Sequence, residues 1–181
     1  MEIKVTYHTA HVTFAHRKTR SDLKHFTPGV DWQFSDCGQN AAGVHDTNNC
    51  SVRAYVAATD ARFVDADAAM ELCGRQRNKG SSIYLTIGRM SKLLGFGYID
   101  METMVPCMRT SRYSGQRYES SKRQTVHTFL KNNPTGRFVC TISHHAFAVV
   151  AGKVIDGHRW SKLSHIDGIY KVTEARAEWA A

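Results

Sequence analysis

One segment of the chain constrains the fold more than any other, because it is small or apolar on nearly every face. It contains Val52, Ala54, Tyr55, Val56, Ala57 and Ala58. A helix that is apolar all round is buried inside its domain. Asn48 and Asn49 are both suited to cap its first turn, and Thr59-Asp60 ends it. The segment therefore predicts a buried central helix that begins within two residues of Cys50.

Length and composition limit what surrounds this helix. The chain has 181 residues, which is enough for one compact domain and too few for two ordinary ones. We expect a single domain over 1–181, with a core at 46–172 and a strand and loop at 1–45. The longest unbroken apolar run spans 146–151, whereas a membrane helix needs roughly 20 residues. We expect no membrane partner and, because the first residues lack an apolar signal region, a cytoplasmic protein.

The remaining residues predict helices first and strands last. Further helices are predicted at 65–75, 84–94 and 126–131, and strands at 2–7, 12–14, 137–143, 145–151, 153–156 and 166–172. The turn Ala151-Gly152 joins two of these strands in a hairpin. Residues 27–49 and the polar stretch 109–124 are expected to be loops, the second of them mobile, and the tail 174–181 is weakly helical. This order is typical of α+β proteins, with a helical layer packed on an antiparallel sheet.

Cys50 stands at the first turn of the predicted central helix, where a thiol gains reactivity. Unpaired backbone N–H groups and the positive end of the helix dipole favour an anion there. A cysteine so placed has a lowered pKa and a larger thiolate fraction. The same N–H groups, together with the side-chain amide of Asn48 or Asn49, can hold the oxyanion of a tetrahedral intermediate. The alternative is an inert cysteine at the start of a core helix.

A nucleophilic cysteine needs a base, and the base needs a group that orients it. His145 begins a predicted strand, and Asp156 ends the next strand of the same hairpin. Because the chain turns at Ala151-Gly152, the two residues end close together on neighbouring strands. Cys50, His145 and Asp156 are therefore the candidate catalytic residues.

The order of these three residues resembles that of the papain-like cysteine peptidases. The string Asn49-Cys50-Ser51-Val52-Arg53-Ala54 looks like the nucleophile helix of small papain-like proteins, including many encoded by bacteriophages. Together with Asp46-Thr47-Asn48, it is also similar to the Asp-Gly-Asn-Cys-x-x-Arg-Ala helix of the ovarian-tumour deubiquitinases. The string His-Ala-Phe-Ala-Val-Val-Ala-Gly-Lys-Val-Ile-Asp at 145–156 looks like the histidine hairpin of the same clan. The resemblance covers roughly residues 46–160.

The resemblance implies a papain-like fold and a thiol-dependent hydrolase that acts on a peptide or isopeptide bond of a host or phage protein. It implies that Cys50 is the nucleophile, that His145 is the base and that Asp156 orients it, without a cofactor. It equally allows acyl transfer or deamidation, because a fold does not fix a function.

Two details of this site stay open. His144 is the alternative base, since strand alternation lets only one of two adjacent histidines face the cysteine. We favour His145, because Phe147 would share its face and line an apolar substrate cleft, to which we also assign Trp160. No glutamine stands shortly before Cys50, and Gln39 lies eleven residues upstream. Asn48 or Asn49 is therefore expected to replace it as the oxyanion donor.

Positive charge supports a second class of function. The chain has 24 Lys and Arg against 16 Asp and Glu, a formal charge of +8, and such a surplus favours anionic partners, nucleic acid first. Basic stretches lie at 16–20, 75–79 and 109–123, and the last has interleaved tyrosines that can stack on bases. Its candidate contacts are Arg112, Arg117, Lys122 and Arg123. The alternative function is nucleic-acid binding, or binding of a host factor by a catalytically inactive papain-like fold.

The cysteine count argues against disulfides and metal. There are five cysteines and no Cys-x-x-Cys pair, whereas disulfide frameworks and structural zinc sites use even, clustered sets. We expect free thiols in a reducing compartment. Several histidines lie near Cys140 in sequence, namely His144, His145, His158 and His165. Their spacing matches no ligand motif, so no metal is expected. The oligomeric state is left open.

Overall fold

The computed structural model describes residues 24–79 and 83–173. The helices are α1 (Cys50–Thr59), α2 (Phe63–Leu72), α3 (Ile83–Leu94) and α4 (Val126–Asn132). The strands are β1 (Trp32–Phe34), β2 (Gly97–Met101), β3 (Met104–Thr110), β4 (Arg117–Arg123), β5 (Arg137–Ile142), β6 (His145–Val150), β7 (Lys153–Asp156) and β8 (Gly168–Thr173). The strands predicted at 2–7 and 12–14, the basic stretch 16–20 and the helical tail lie outside the described residues. No helix of the described part of the chain is long and apolar enough to cross a membrane.

Six strands form one sheet in the order β1-β7-β6-β5-β8-β2. All neighbours are antiparallel except β1 and β7, which run parallel. The predicted α+β class is confirmed, and so is the run of neighbouring strands β5, β6 and β7. Two expectations were wrong: the sheet is mixed and not purely antiparallel, and the predicted loop 27–49 contains β1. Three residues between polar turns are too few for a sequence pattern, and pairing with β7 makes them a strand.

Side chains of β6 alternate between two apolar cores, one on each face of the sheet. Ala146 and Ala148 pack with α1, α2 and α3 on one face. Phe147 and Val149 pack with α4 and β1 on the other. Alternation follows from the period of two in a strand, and here both faces are buried. The two small alanines leave room for α1 to approach the sheet closely.

Helix α1 is the predicted central helix. It begins at Cys50, seven of its ten residues are buried against five of ten in α2, and it packs against β5, β6 and β7. Asn49 occupies the N-cap position but makes no side-chain capping bond, contrary to the expectation that an asparagine caps the helix. The helix ends at Thr59. The C-cap residue Asp60 has a left-handed backbone conformation and donates its N–H to the carbonyl of Val56. The sulfur of Cys50 therefore sits at the start of a rigid, buried element.

The stretch 109–124 is not a mobile loop, as was expected, but mostly strand. β3 and β4 form a separate antiparallel hairpin, in which Met104 pairs with Arg123 and Thr110 with Arg117. Most of its side chains are exposed. Backbone pairing defines this hairpin, and it has no apolar face of its own. Because residues 109–124 carry no aliphatic side chains, their sequence pattern did not predict a strand.

Candidate active site

Three element ends bring the candidate residues together. Cys50 is the first residue of α1, His145 the first of β6 and Asp156 the last of β7. The two-residue turn Ala151-Gly152 has positive φ at both positions, as in the tight hairpin turns that match strand twist. It sets a register in which Ala148 pairs with Ile155, so that His145 and Asp156 lie diagonally across the β6–β7 ladder. The predicted hairpin and its turn are confirmed.

Asp156 is buried and fully engaged. Its Oδ2 accepts hydrogen bonds from Nε2 of His145 at 2.5 Å and from Nε1 of Trp160 at 2.8 Å. Its Oδ1 accepts the backbone N–H of His158 at 3.2 Å. Burial alone raises the pKa of this carboxyl, but the hydrogen bonds and the charge of His145 outweigh burial and lower it. Asp156 is therefore an anion at neutral pH, held in one orientation beside the imidazole.

Cys50 lies beside this pair. Hydrogen bonding from the imidazole of His145 and from the backbone N–H of Ala146 stabilises its thiolate. Since Nε2 of His145 is taken by Asp156, Nδ1 is the ring nitrogen left for the sulfur. Burial raises the pKa of the Cys50 thiol, but these two bonds, the charge of His145 and the charge of Arg53 lower it overall. The Ala146 N–H is a contact that no sequence pattern predicted.

His145 carries the complementary shift. Burial lowers its pKa, but the hydrogen bonds to Asp156 and Cys50 and their charges raise it to about 9. A thiol with a lowered pKa beside an imidazole with a raised pKa favours the thiolate–imidazolium form at neutral pH. This arrangement can perform nucleophilic attack followed by proton donation from one imidazole.

The structure distinguishes the two adjacent histidines. His145 faces Cys50 and Asp156, whereas His144 lies in the turn between β5 and β6, with φ of 58° and an exposed side chain. The choice of His145 therefore agrees with the structure. The reason given for it does not: Phe147 is 1% exposed and lies in the core. It cannot line an open cleft, because the ring of Trp160 covers it at 4.5 Å between centroids.

Trp160 has a contact that its assignment to the substrate cleft did not foresee. It was assigned to the substrate cleft as an apolar surface, but its indole N–H binds Asp156 and its ring lies 6.2 Å from that of His145. Phe26 packs edge-on against the ring of Trp160, with 4.9 Å between centroids. Trp160 thus covers the His145–Asp156 pair and limits access of water to it. An aromatic residue four positions after the aspartate was the available signal, and only the structure shows its hydrogen bond.

The two asparagines before Cys50 differ in availability. Asn48 is exposed, and its side-chain amide donates to the carbonyl of Asn78 at 3.1 Å. Asn49 is 1% exposed, and its Nδ2 has no hydrogen-bond partner within the described part of the chain. Gln39 uses its amide to hold the carbonyls of Val44 and Asp46, so it serves the loop before Cys50. Of these three side-chain amides, that of Asn49 is the one left without a partner among the described residues, which makes it the candidate oxyanion donor.

A buried ion-pair cluster that sequence reasoning missed holds the loop before Cys50. The guanidinium of Arg75 binds Asp46 on one side and Asp67 of α2, at 2.8 Å, on the other. Its Nη2 also reaches the carbonyl of Asn48 at 3.3 Å. The prediction that Arg75 belongs to a basic stretch for nucleic acid is wrong, because the residue is 4% exposed. The cluster instead fixes the approach of the chain to α1.

The other basic candidates lie on the β3–β4 hairpin. Arg112, Arg117 and Lys122 are exposed, whereas Arg123 forms an ion pair with Asp167 at 2.6 Å. They lie on a different element from Cys50. Among residues 24–79 and 83–173, no group of three or more His, Cys, Asp or Glu is placed to hold a metal ion. All five cysteines are free thiols, and Cys140 is buried in β5.

Comparison of the chain with protein families, curated proteins and solved structures finds no match.

Proposed function

We propose that this protein is a thiol-dependent hydrolase of the papain-like kind that acts on a peptide or isopeptide bond. One observation carries the proposal: the Cys50 thiol, at the start of the buried helix α1, lies beside the hydrogen-bonded pair of His145 and Asp156, and that imidazole lowers its pKa. The layered arrangement, with the cysteine helix packed on the strands that bear the histidine and aspartate, also supports a papain-like fold. A phage-encoded member would act on a host or phage protein in the host cytoplasm.

The proposed reaction uses each of these three residues in turn. The Cys50 thiolate attacks the carbonyl carbon, and the oxyanion accepts hydrogen bonds from the Cys50 N–H and the Asn49 amide. The imidazolium of His145 gives its proton to the leaving amine, which departs and leaves a thioester on Cys50. Neutral His145 then takes a proton from water, whose oxygen displaces the sulfur and releases the acid. Asp156 holds the imidazole throughout and balances its charge.

Peptide mass spectrometry with a proteome-derived peptide pool tests this function. We expect new peptide termini, or products of isopeptide cleavage, with the wild-type protein under reducing conditions. Cys50→Ala is the matched control and should yield none of them. Identical products from both proteins would assign the cleavage to a contaminant. The absence of all products would contradict the proposed hydrolase.

The exposed β3–β4 hairpin favours one alternative, the binding of a nucleic acid or an acidic host factor by an inactive fold. Arg112, Arg117 and Lys122 project from it, and Tyr113 at its tip is fully exposed. Basic and aromatic side chains of this kind bind single strands.

Binding of a labelled single-stranded DNA at several salt concentrations tests this alternative. Replacing the three hairpin cations by alanine should weaken binding and flatten its salt dependence. The matched control replaces three exposed lysines elsewhere, Lys92, Lys153 and Lys171. Equal loss in both variants would point to net charge alone.

A further inference from the structure

Arg53 lies three residues after Cys50 on α1, on the same side of the helix. Its side chain is partly buried, and its Nε is buried without a hydrogen-bond partner among the described residues. No acidic side chain of the described residues forms an ion pair with it. Burying part of a charged guanidinium costs free energy unless an anion compensates its charge. Five rigid donors without a carboxylate partner therefore require an explanation in the site itself.

Gly157, the residue after Asp156, gives the guanidinium its place. A Cβ built on Gly157 would collide with Nη1 of Arg53 and come within 3.0 Å of its Cζ. The Arg53 head group thus rests against the end of β7 that carries Asp156, and a side chain at position 157 would have to displace it. Its charge acts on Cys50 and also on Cys37, in the loop that follows β1. The guanidinium lies between the nucleophile helix and the strand of the orienting carboxylate.

We propose that Arg53 is a positioning residue for the nucleophile: its guanidinium, seated against Gly157, supplies a fixed positive charge that favours the thiolate of Cys50 independently of His145. The inference rests on the proposed role of Cys50 as nucleophile. It deepens that role by adding a cation that stays charged through the whole range in which a histidine titrates.

The balance of charges around the sulfur explains why a further cation is useful. The charges that act on Cys50 are those of His145 and Arg53. Asp36 and Asp156 act on the neighbouring Cys37, and the ring of His158 lies 6.3 Å from that of His145. The charge of His145 lowers the pKa of the Cys50 thiol, but His145 is paired with Asp156 and gives up that charge when it titrates. Arg53 has no such partner among the described residues, so its charge is left to act on the sulfur. Its attraction persists when His145 loses its proton.

The rate of alkylation of Cys50 by iodoacetamide, measured against pH, tests the proposal. We expect Arg53→Met to slow alkylation roughly threefold to tenfold below the midpoint and to move the midpoint to higher pH. Arg53→Lys should restore most of the rate. In a His145→Ala background, Arg53→Met should slow alkylation by the same factor as it does in the wild-type protein. Arg62→Met is the control, because it removes an exposed cation directly before α2. Its alkylation rate should depend on pH as in the wild-type protein.

Gly157→Ala provides a second test that keeps the arginine in the chain. The added Cβ must displace the guanidinium, so alkylation should slow in the same direction as in Arg53→Met. In the double variant Arg53→Ala, Gly157→Ala the methyl group meets no guanidinium, and its effect should vanish. Additive effects of the two substitutions would contradict the proposed contact.

The outcome is separable from that of the hydrolase proposal, because alkylation requires no substrate. A slowed profile in Arg53→Met supports the role of Arg53 even where no peptide is cleaved. Superimposable profiles of wild type, Arg53→Met and Gly157→Ala would overturn it even where hydrolysis is found. If Arg53→Met loses its folded circular dichroism spectrum, Gly157→Ala decides the question by the same criterion.

Discussion

His145 and Trp160 donate to the same oxygen of Asp156: Nε2 of the imidazole lies 2.5 Å and Nε1 of the indole 2.8 Å from Oδ2. The shared acceptor fixes the carboxylate between two rings whose centroids are 6.2 Å apart. It also fixes the orientation of the imidazole, so that Nδ1 is presented to Cys50.

The first prediction separates two pH profiles of one cysteine. Alkylation of Cys50 requires only the thiolate, so its rate should rise at a pH below the ordinary thiol value of 9.0 and then stay level. Acyl transfer also requires the imidazolium, so its rate should fall again as pH passes the His145 pKa of about 9. His145→Ala should slow alkylation about tenfold at neutral pH and little at high pH. A profile unchanged by this substitution would contradict the contact between His145 and Cys50.

Asp156→Asn should lower the rate of acyl transfer less than His145→Ala does, because an orienting group is partly replaceable. The carboxylate raises the pKa of His145, so its loss should move the falling limb of acyl transfer to lower pH. NMR titration of the His145 ring measures this shift directly.

Trp160→Phe keeps the aromatic cover and removes only the donor to Oδ2. We expect it to move the His145 titration far less than Asp156→Asn does. If the two variants moved the titration equally, the indole N–H and not the carboxylate would control the imidazole.

Asn49→Ala should separate acylation from thiol reactivity. Removing one oxyanion donor lowers acyl transfer by about 10²–10³-fold. Alkylation by iodoacetamide forms no oxyanion and should proceed at the wild-type rate. Asn48→Ala is the control, since its amide already binds the carbonyl of Asn78. Equal loss of alkylation and acylation in Asn49→Ala would show that the residue only supports the fold.

Arg75→Met should destabilise the protein strongly. The substitution leaves Asp46 and Asp67 buried without their cation, and breaking a buried pair in this way costs about 3–5 kcal/mol. Thermal unfolding measures the loss. Arg62→Met, which breaks a solvent-exposed pair with Asp65, should leave the midpoint almost unchanged. Similar midpoints for both variants would mean that the cluster does not hold the loop before Cys50.

The sequence was informative where local rules decide the structure. An all-apolar helix must be buried, and a two-residue turn sets the strand register, so α1 and the pairing of His145 with Asp156 could both be predicted. Thr125 caps α4 in the same local way, since its hydroxyl accepts the N–H of Thr128.

Long-range pairing decided the features that were missed. The parallel contact of β1 with β7 and the buried cluster around Arg75 join residues far apart in sequence. Phe147 was placed in a cleft because strand alternation gives only the face of a residue, and not what covers that face. The β3–β4 hairpin was missed because backbone pairing, and not an apolar pattern, defines it.

Peptide mapping after reaction with p-nitrophenyl acetate tests the central claim most directly. We predict that at neutral pH the acetyl group is transferred to Cys50 as a thioester, with release of p-nitrophenolate, faster than to any of the other four cysteines. Cys50→Ala should show no rapid release of p-nitrophenolate and should keep the thermal midpoint of the wild-type protein. His145→Ala should form the thioester slowly. Equal acetylation of all five cysteines, or none at Cys50, would contradict the proposed nucleophile.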